Sequence, residues 1–301
     1  MITNSENVPP QYLRDLVENT VGKKSTGWKK PDCGLSQALR FSVELEDGSR
    51  VFVKASTDEQ TEQWLRTEHF VLSSMREKFM PYVIDWIDRP GAHPVLISQD
   101  LSHAYWPASH SGVTWREGDF QLLFEAIKEL SSVEAPSGLS ALENRKTCGW
   151  SIIADDAAAF LNLQLCTERW FSNSINALIE AEKKMDYTGT RLVHGDIRSD
   201  NICIADKQVI FVDWSHAAIG NGLHNLAMLL PSLYLEGGPL PYQVMPDGGS
   251  EAASGSSGLT LRLLSDISMP DWLKKVFKKL IAIELEWAAS CLGLEKPDGI
   301  L

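Results

Sequence analysis

The segment from Leu192 to Trp214 constrains this chain more tightly than any other. His194-Gly195-Asp196 is followed by Asn201 and then by two short apolar runs, Ile202-Cys203-Ile204 and Val209-Ile210-Phe211-Val212. Between them stands Ala205-Asp206-Lys207-Gln208, and Asp213-Trp214 closes the segment. Apolar runs about a polar link predict a β-hairpin. With the turn centred near Lys207, Asn201 and Asp213 sit opposite each other at the open end. Two oxygen-bearing side chains are then held together just outside the sheet. Magnesium takes hard oxygen ligands and leaves room for phosphate oxygens, so this pair suits it. Asp196 precedes Asn201 closely enough to share the site, where a carboxylate can orient a hydroxyl and accept its proton. The bland alternative makes Asp196 and Asp213 ordinary turn residues.

Two textures surround this segment. Residues 1–100 carry strand-like stretches around one strong helical stretch, and residues after about 116 are mainly helical. Leu39 to Leu45 alternates as a half-buried strand does, Glu46-Asp47-Gly48-Ser49 is a turn, and Arg50 to Lys54 is the partner strand. A helix is expected from Glu59 to Met75. Its stripe of Leu65, Glu68, Leu72 and Met75 places a carboxylate on an otherwise apolar face. Tyr82-Val83-Ile84 and Val95-Leu96-Ile97 are further strands. Asp119 to Val133, Ile152 to about Lys184, Leu223 to Leu233 and Pro270 to Leu292 read as helices. The stretch from Gly248 to Gly258, rich in Gly, Ser and Ala, is expected to be an exposed, mobile connection.

The order His-Gly-Asp-x-x-x-x-Asn, then a short hairpin, then Asp resembles the aminoglycoside phosphotransferase and choline-kinase group, relatives of the protein kinases. The likeness spans roughly residues 20–292 and is sharp from Leu192 to Gly220. It implies an α+β, protein-kinase-like bilobal fold: a small antiparallel-sheet N-lobe over residues 1–100 and a larger, mostly helical C-lobe over residues 101–301. It also implies transfer of the γ-phosphate of ATP, with Mg2+, to a hydroxyl of a small molecule. Asp196 becomes the catalytic base, Asn201 and Asp213 the metal ligands, and His194 a brace for the loop backbone. Lys54, at a strand end, would pair the α and β phosphates, and Glu68 would hold it; the plain reading of Lys54 is a solvated edge residue. The loop from Asp32 to Ala38 would cover the phosphates, with Gly34 offering backbone N–H and Ser36 a hydroxyl, or else it is a hairpin loop without a ligand. Gln99 and Leu101 belong to the hinge whose backbone would meet the adenine edge. Arg198 either neutralises the transferring phosphoryl group or is structural. One departure stands out: Asn225 occupies a position where the family usually carries Asp, keeping an acceptor oxygen and losing the charge.

A net charge of -12 argues against a general nucleic-acid binder. No apolar run reaches the ~18 residues of a membrane span, so no membrane partner is expected. Five cysteines without metal or redox spacing suggest reduced thiols in a cytoplasmic protein. Asp213 is followed within about ten residues by a new apolar helix starting near Leu223, leaving little chain to dock a peptide, so the expected partner is a small-molecule hydroxyl acceptor. Asp155, Asp156, Glu168 and Glu236 are candidate contacts for amino groups, and Trp106, Trp115, Trp170, Tyr234 and Tyr242 for aromatic walls, against their ordinary roles on the surface and in the core. The competing reading is a nucleotide-binding regulatory protein of the same fold that no longer transfers phosphate, motivated by Asn225 and the irregular phosphate loop.

Overall fold

The computed structural model describes residues 8–31 and 37–299. In chain order its first elements are α1 (Gln11–Val21), β1 (Ser25–Lys29), β2 (Leu39–Leu45), β3 (Arg50–Ala55), α2 (Glu59–Ser74), β4 (Val83–Ile87) and β5 (Val95–Gln99). Next come the two-residue strands β6 (Ala108–Ser109) and β7 (Gly112–Val113), then α3 (Asp119–Leu130), α4 (Gly149–Asp155), α5 (Ala158–Leu161) and α6 (Glu168–Lys183). The remainder comprises β8 (Arg191–Val193), β9 (Ile202–Ala205), β10 (Gln208–Phe211), β11 (Ala218–Gly220), α7 (Leu223–Leu235), α8 (Pro241–Val244), α9 (Gly249–Ser265) and α10 (Asp271–Leu292). These elements form two compact units: Met1–Leu130 with Ala135–Leu139 and His194–Ala218, and Ser131–Glu134 with Ser140–Val193 and Ile219–Leu301.

The first unit is built on an antiparallel sheet in the order β1-β2-β3-β5-β4. Alternation along β2 and β3 puts Phe41, Val43, Leu45, Val51, Val53 and Ala55 on one face, where Leu13 and Val17 of α1 cover them. The intervening residues, Arg40 and Lys54 among them, belong to the other face and stand directly opposite in the pairing register. Helix α2 starts at a capping box, with Asp58 accepting from the Thr61 N–H and the Thr61 hydroxyl accepting from the Asp58 N–H. Its buried stripe runs Leu65, Glu68 and Leu72, as the spacing predicts.

The hairpin β9–β10 belongs to this first unit although it lies almost a hundred residues further along the chain. An antiparallel bridge joins Tyr105 to Ile204, and the Phe211 N–H donates to the Phe79 carbonyl at 2.9 Å. Cys203 and Ile210 pack with Leu101. The turn is tighter than the sequence suggests. Asp206 and Lys207 both take left-handed backbone angles, φ 50 and φ 64, and Gln208 pairs Ala205 directly. This two-residue turn matches the twist of its strands, and it centres the hairpin between Asp206 and Lys207. Continued past the strands, the register sets Asn201 opposite Val212, whose N–H donates to the Asn201 carbonyl at 3.0 Å. Asp213 is therefore one residue beyond its expected place across from Asn201.

The second unit is helical, and its centre corrects one expectation. Residues 249–265 form α9 instead of a mobile connection, and Gly249, Ala252, Ala253, Ser256, Ser257 and Thr260 are buried in it. Small side chains let neighbouring backbones come close: the Trp150 indole of α4 donates to the Ala253 carbonyl at 2.8 Å. The buried hydroxyls of Ser256 and Thr260 donate back to the carbonyls of Ala252 and Ser256, both at 2.7 Å. Low intrinsic propensity is outweighed by tertiary packing, which supplies most helix stability in proteins. The single helix expected between Ile152 and Lys184 is three: α4 ends at Asp155, α5 is a single turn, and α6 begins where the Thr167 hydroxyl accepts from the Trp170 N–H. Glu182 of α6 accepts from the N–H groups of Gly149 and Trp150 at 2.9 and 3.0 Å, satisfying the start of α4. Among the described residues, no helix is long and apolar enough to cross a membrane.

Candidate active site

The polar face of the sheet carries a buried charge cluster. Lys54 Nζ donates to Glu68 Oε2 at 2.5 Å and to Asp213 Oδ1 at 2.9 Å. Three elements thus meet at one ammonium: β3, the apolar stripe of α2 and, 159 residues further along the chain than Lys54, the second residue after β10. The cost of burying a carboxylate on that stripe is offset because Glu68 is paired. Burial opposes the charge on Lys54, but the carboxylates of Asp213 and Glu68 outweigh it and hold its pKa above the usual lysine range. Burial also acts against the Asp213 carboxylate, yet Lys54, the Ser215 hydroxyl and Arg40 keep its pKa well below the ordinary range. Asp213 is thus ionised at neutral pH.

Asp213 adopts a left-handed backbone, φ 63 and ψ 64, rarely held by a residue with a side chain. That twist turns its carboxylate out of the β10 line toward Lys54. Ser215 donates to Asp213 Oδ1 at 2.7 Å, and Arg40 Nη2 lies 3.9 Å from Oδ2. Sequence reasoning missed both Ser215 and Arg40. A signal for Arg40 was present, because a β2–β3 hairpin centred on Asp47 puts residue 40 opposite Lys54.

The loop ahead of β9 is braced by a buried ring. His194 Nδ1 accepts from the Asp196 N–H at 3.3 Å, so Nε2 carries the proton and donates to the Val212 carbonyl at 3.0 Å. The ring packs on Trp214 with centroids 4.4 Å apart. Burial lowers the His194 pKa to about 4, so it is a neutral strut at physiological pH. Gly195 takes φ 82, a conformation in which a side chain would be strained. The chain then presents Asp196, whose Oδ2 accepts from Asn201 Nδ2 at 3.0 Å; the same Nδ2 donates to the Asp196 carbonyl at 2.9 Å. With the amide nitrogen engaged, Oδ1 is the Asn201 atom suited to a metal.

Arg198 bridges two carboxylates, with Nη2 2.9 Å from Asp200 Oδ2 and Nε 3.6 Å from Asp196 Oδ1. Gln99 ends β5, its N–H donating to the Tyr82 carbonyl at 3.0 Å. The Leu101 side chain is core, and its carbonyl accepts from the Ala104 N–H and the Trp106 indole, both at 3.0 Å. Gly34 and Ser36, expected over the phosphates, lie outside the described residues. Of the expected acceptor contacts, Asp155, Asp156 and Glu168 are exposed, whereas Trp170 is buried and donates its indole N–H to the Glu295 carbonyl at 2.8 Å. Asn225, the departure noted above, is buried, and its Nδ2 donates to the Leu192 carbonyl at 2.9 Å.

Oxygen donors on Asn201 and Asp213 fit magnesium chemically, since that ion uses one or two protein oxygens and completes its shell with phosphate and water. Among the described residues, no three His, Cys, Asp or Glu side chains group into a self-sufficient metal site.

A profile of the phosphotransferase enzyme family matches residues 40–256. No curated protein matches the sequence. Among solved structures, a thermostable mutant of the aminoglycoside phosphotransferase APH(4)-Ia in ternary complex with ADP and hygromycin B has a TM-score of 0.57 at 13% identity, covering 91% of this chain and 98% of that one. The apoenzyme of the macrolide 2'-phosphotransferase MphH from Brachybacterium faecium has a TM-score of 0.57 at 14% identity, covering 90% and 96%. A choline/ethanolamine kinase family protein from Mesorhizobium loti has a TM-score of 0.56 at 12% identity, covering 89% and 92%. At these identities the likeness is one of fold, the α+β, protein-kinase-like fold.

Proposed function

The chain belongs to the phosphotransferase enzyme family, and we propose that it moves the γ-phosphate of ATP, with magnesium, onto a hydroxyl of a small molecule. The observation that carries this reading is the convergence of Lys54, Glu68 and Asp213, with Asp196 and Asn201 bonded to each other in the same compact unit. A purely structural role needs none of that set. The residue boundary near 100 is part of the same proposal: residues 1–100 serve the nucleotide, and residues 101–301 bring the catalytic loop, the metal ligands and the acceptor contacts.

In this reading Lys54, held by Glu68, pairs the α and β phosphates. Asp196 accepts the proton of the acceptor hydroxyl while its oxygen bonds to the γ phosphorus, and the bond from that phosphorus to the bridging oxygen breaks, releasing ADP. Bound through Asn201 and Asp213, magnesium would offset charge on the phosphate oxygens. Asn201 Nδ2 orients the Asp196 carboxylate, and Arg198 offsets the charge around it. The backbone at Gln99 and Leu101 meets the adenine edge.

The acceptor class follows the fold relatives, which are named for aminoglycoside, macrolide and choline or ethanolamine substrates. The test is a coupled ADP-release screen of such hydroxyl compounds with and without magnesium. Acceptor-dependent turnover is expected in the wild type and a loss of at least about 1,000-fold in Asp196→Ala and Asp213→Ala. Unchanged turnover in both variants would sink the proposal. Tight ATP binding without turnover across the panel would favour the silent regulatory reading. Asn225 argues weakly for that reading, because its amide still ties α7 to the Leu192 carbonyl two residues before His194.

A further inference from the structure

One end of the second unit presents apolar side chains to solvent. Helices α9 and α10 run antiparallel. Arg262 lies over the Phe277 ring at 5.3 Å, and a Cβ on Gly255 or Gly249 would meet Glu284 at 2.6 Å or Cys291 at 3.1 Å. Residues 266–270 are the connection at the tip of that hairpin. Its backbone is tied down. Asp266 Oδ1 accepts from the N–H and the hydroxyl of Ser268 at 3.0 and 2.6 Å. The Met269 N–H donates to the Asp266 carbonyl at 3.2 Å, and the Met269 side chain is buried. Between these anchors Ile267 is 95% exposed, more than any other large hydrophobic side chain among the described residues. Leu264 in the last turn of α9 and Trp272 in the first turn of α10 are exposed as well.

The same end is basic. From Arg262 to Lys279 the chain carries Arg262, Lys274, Lys275, Lys278 and Lys279 against Asp266 and Asp271, a net +3 in a chain of net charge -12. Among the described residues, only Lys274 of the four lysines has an ion-pair partner, Asp271 at 3.7 Å. Trp272, Lys275 and Lys279 follow one another at spacings of three and four and share an exposed face of α10. The two lysines stand about 4.5 and about 10 Å behind Trp272 along the helix axis. An apolar tip with cations one and two turns behind it matches the layering of an anionic bilayer: an aromatic ring enters the interface while ammonium groups stay among the headgroups. Three side chains at a helical turn fall short of the about 800 Å² per partner of a stable protein interface, whereas a fluid bilayer closes around an inserted tip.

We propose that the α9–α10 tip is a peripheral membrane-binding element: Ile267 and Trp272 enter the interface of an anionic lipid surface, and Lys275, Lys278 and Lys279 meet its headgroups. The chain lies on the bilayer without spanning it. At physiological salt the Debye length is about 8 Å, so the charge of the tip, and not the overall negative charge, governs the contact. Few apolar side chains are inserted, so attachment is reversible and weakens as salt rises. The inference is independent of the phosphotransfer reading and shares no residue with its site.

The experiment is sedimentation of the full chain with vesicles of phosphatidylcholine alone and of phosphatidylcholine with about one-third phosphatidylserine, in about 0.15 M and about 0.5 M salt. Wild type is expected to pellet with the anionic vesicles at the lower salt, to be largely released at the higher, and to stay in solution with phosphatidylcholine. Ile267→Ser and the double variant Lys275→Gln/Lys279→Gln are each expected to weaken binding about tenfold. Lys183→Gln/Lys184→Gln removes the same charge from an exposed part of the α6 end and is expected to leave binding nearly unchanged. Urea midpoints matching wild type show that the variants are folded. Absence of binding to anionic vesicles overturns the proposal, as do equal binding to both kinds of vesicle and an equal loss in the α6 control. Failure on vesicles with binding to polyglutamate overturns it in favour of an acidic protein partner. Failure on vesicles with a dimer that Ile267→Ser abolishes overturns it in favour of a second copy of the chain.

Discussion

At the scale of single residues the site works by competition for charge. Lys54 stands between Glu68 and Asp213, and each carboxylate reduces the hold of the other. Removing the Glu68 charge leaves Asp213 as the anion nearest Lys54. Lys54 then rivals magnesium for that carboxylate. Glu68→Gln is therefore expected to raise the magnesium concentration for half-maximal activity about tenfold, the equivalent of about 1.4 kcal/mol, with a smaller effect once magnesium saturates. A magnesium titration at fixed ATP checks this, and an unchanged requirement would show that Glu68 does not restrain Lys54. Asn225 gives a second case. Its Nδ2 donates to the Leu192 carbonyl, so Asn225→Asp, which restores the family's usual residue, sets a carboxylate against a carbonyl oxygen in a buried place. A loss of about 1–3 kcal/mol is expected in urea denaturation at neutral pH. The departure at 225 was visible in the sequence. The direction of its hydrogen bond was not, because an amide can donate or accept and only its neighbour decides.

At the scale of elements, periodic segments were legible and packing-dependent ones were not. β2 was read to the residue because apolar and polar positions alternate strictly, and α2 was read because Leu65, Glu68 and Leu72 keep helical spacing. The hairpin was found, but its register slipped by one, since Asp206 and Lys207 share a tight turn whose backbone angles leave little trace in composition. α1 was missed altogether: it opens after Pro10 without a side-chain cap and buries only Leu13 and Val17 fully. α9 was misread because Gly, Ser and Ala signal a linker by propensity and close helix contact by size. The glycine that caps it, Gly248, and one within it, Gly258, separate by environment. A Cβ on Gly248 would lie 2.3 Å from Cζ2 of Trp287, a buried indole fixed by its N–H bond to the Met245 carbonyl, whereas nothing lies within 4 Å at Gly258. Gly248→Ala is expected to destabilise by about 1–3 kcal/mol through overpacking. Gly258→Ala is expected to stabilise by up to about 1 kcal/mol through helix propensity. Urea midpoints of the two variants check the pair, and equal shifts would refute the packing account of α9.

At the scale of the whole molecule, the first unit draws on three separated stretches of chain, and no periodicity within one stretch shows which distant stretch completes its core. Each unit also contains a histidine that resists protonation, buried in the first and half-buried in the second. Burial lowers both His194 and His224 to about 4, from an ordinary value of 6.5. As pH falls below 6.5, each unfolded histidine binds a proton that its folded counterpart refuses, so stability drops and the drop levels off only below about 4. Glu284, buried between α9 and α10 and raised well above the usual carboxylate range by burial, acts in the opposite sense. It holds a proton in the folded state that the unfolded chain has released, so its contribution grows as pH falls toward its unfolded value of 4.5. Absolute acid profiles therefore mix the two, and differences between variants separate them. His224 Nδ1 has no hydrogen-bond partner among the described residues, so His224→Gln is a mild substitution. It is expected to flatten the plot of unfolding free energy against pH between about 6 and 4.5 by up to about 1.4 kcal/mol per pH unit, the slope of one proton. Glu284→Gln is expected to steepen the acid loss over the same range and to raise stability at neutral pH. Urea unfolding across that range reads both slopes; parallel profiles for wild type and His224→Gln would mean that His224 is protonated as readily in the folded protein as in the open chain.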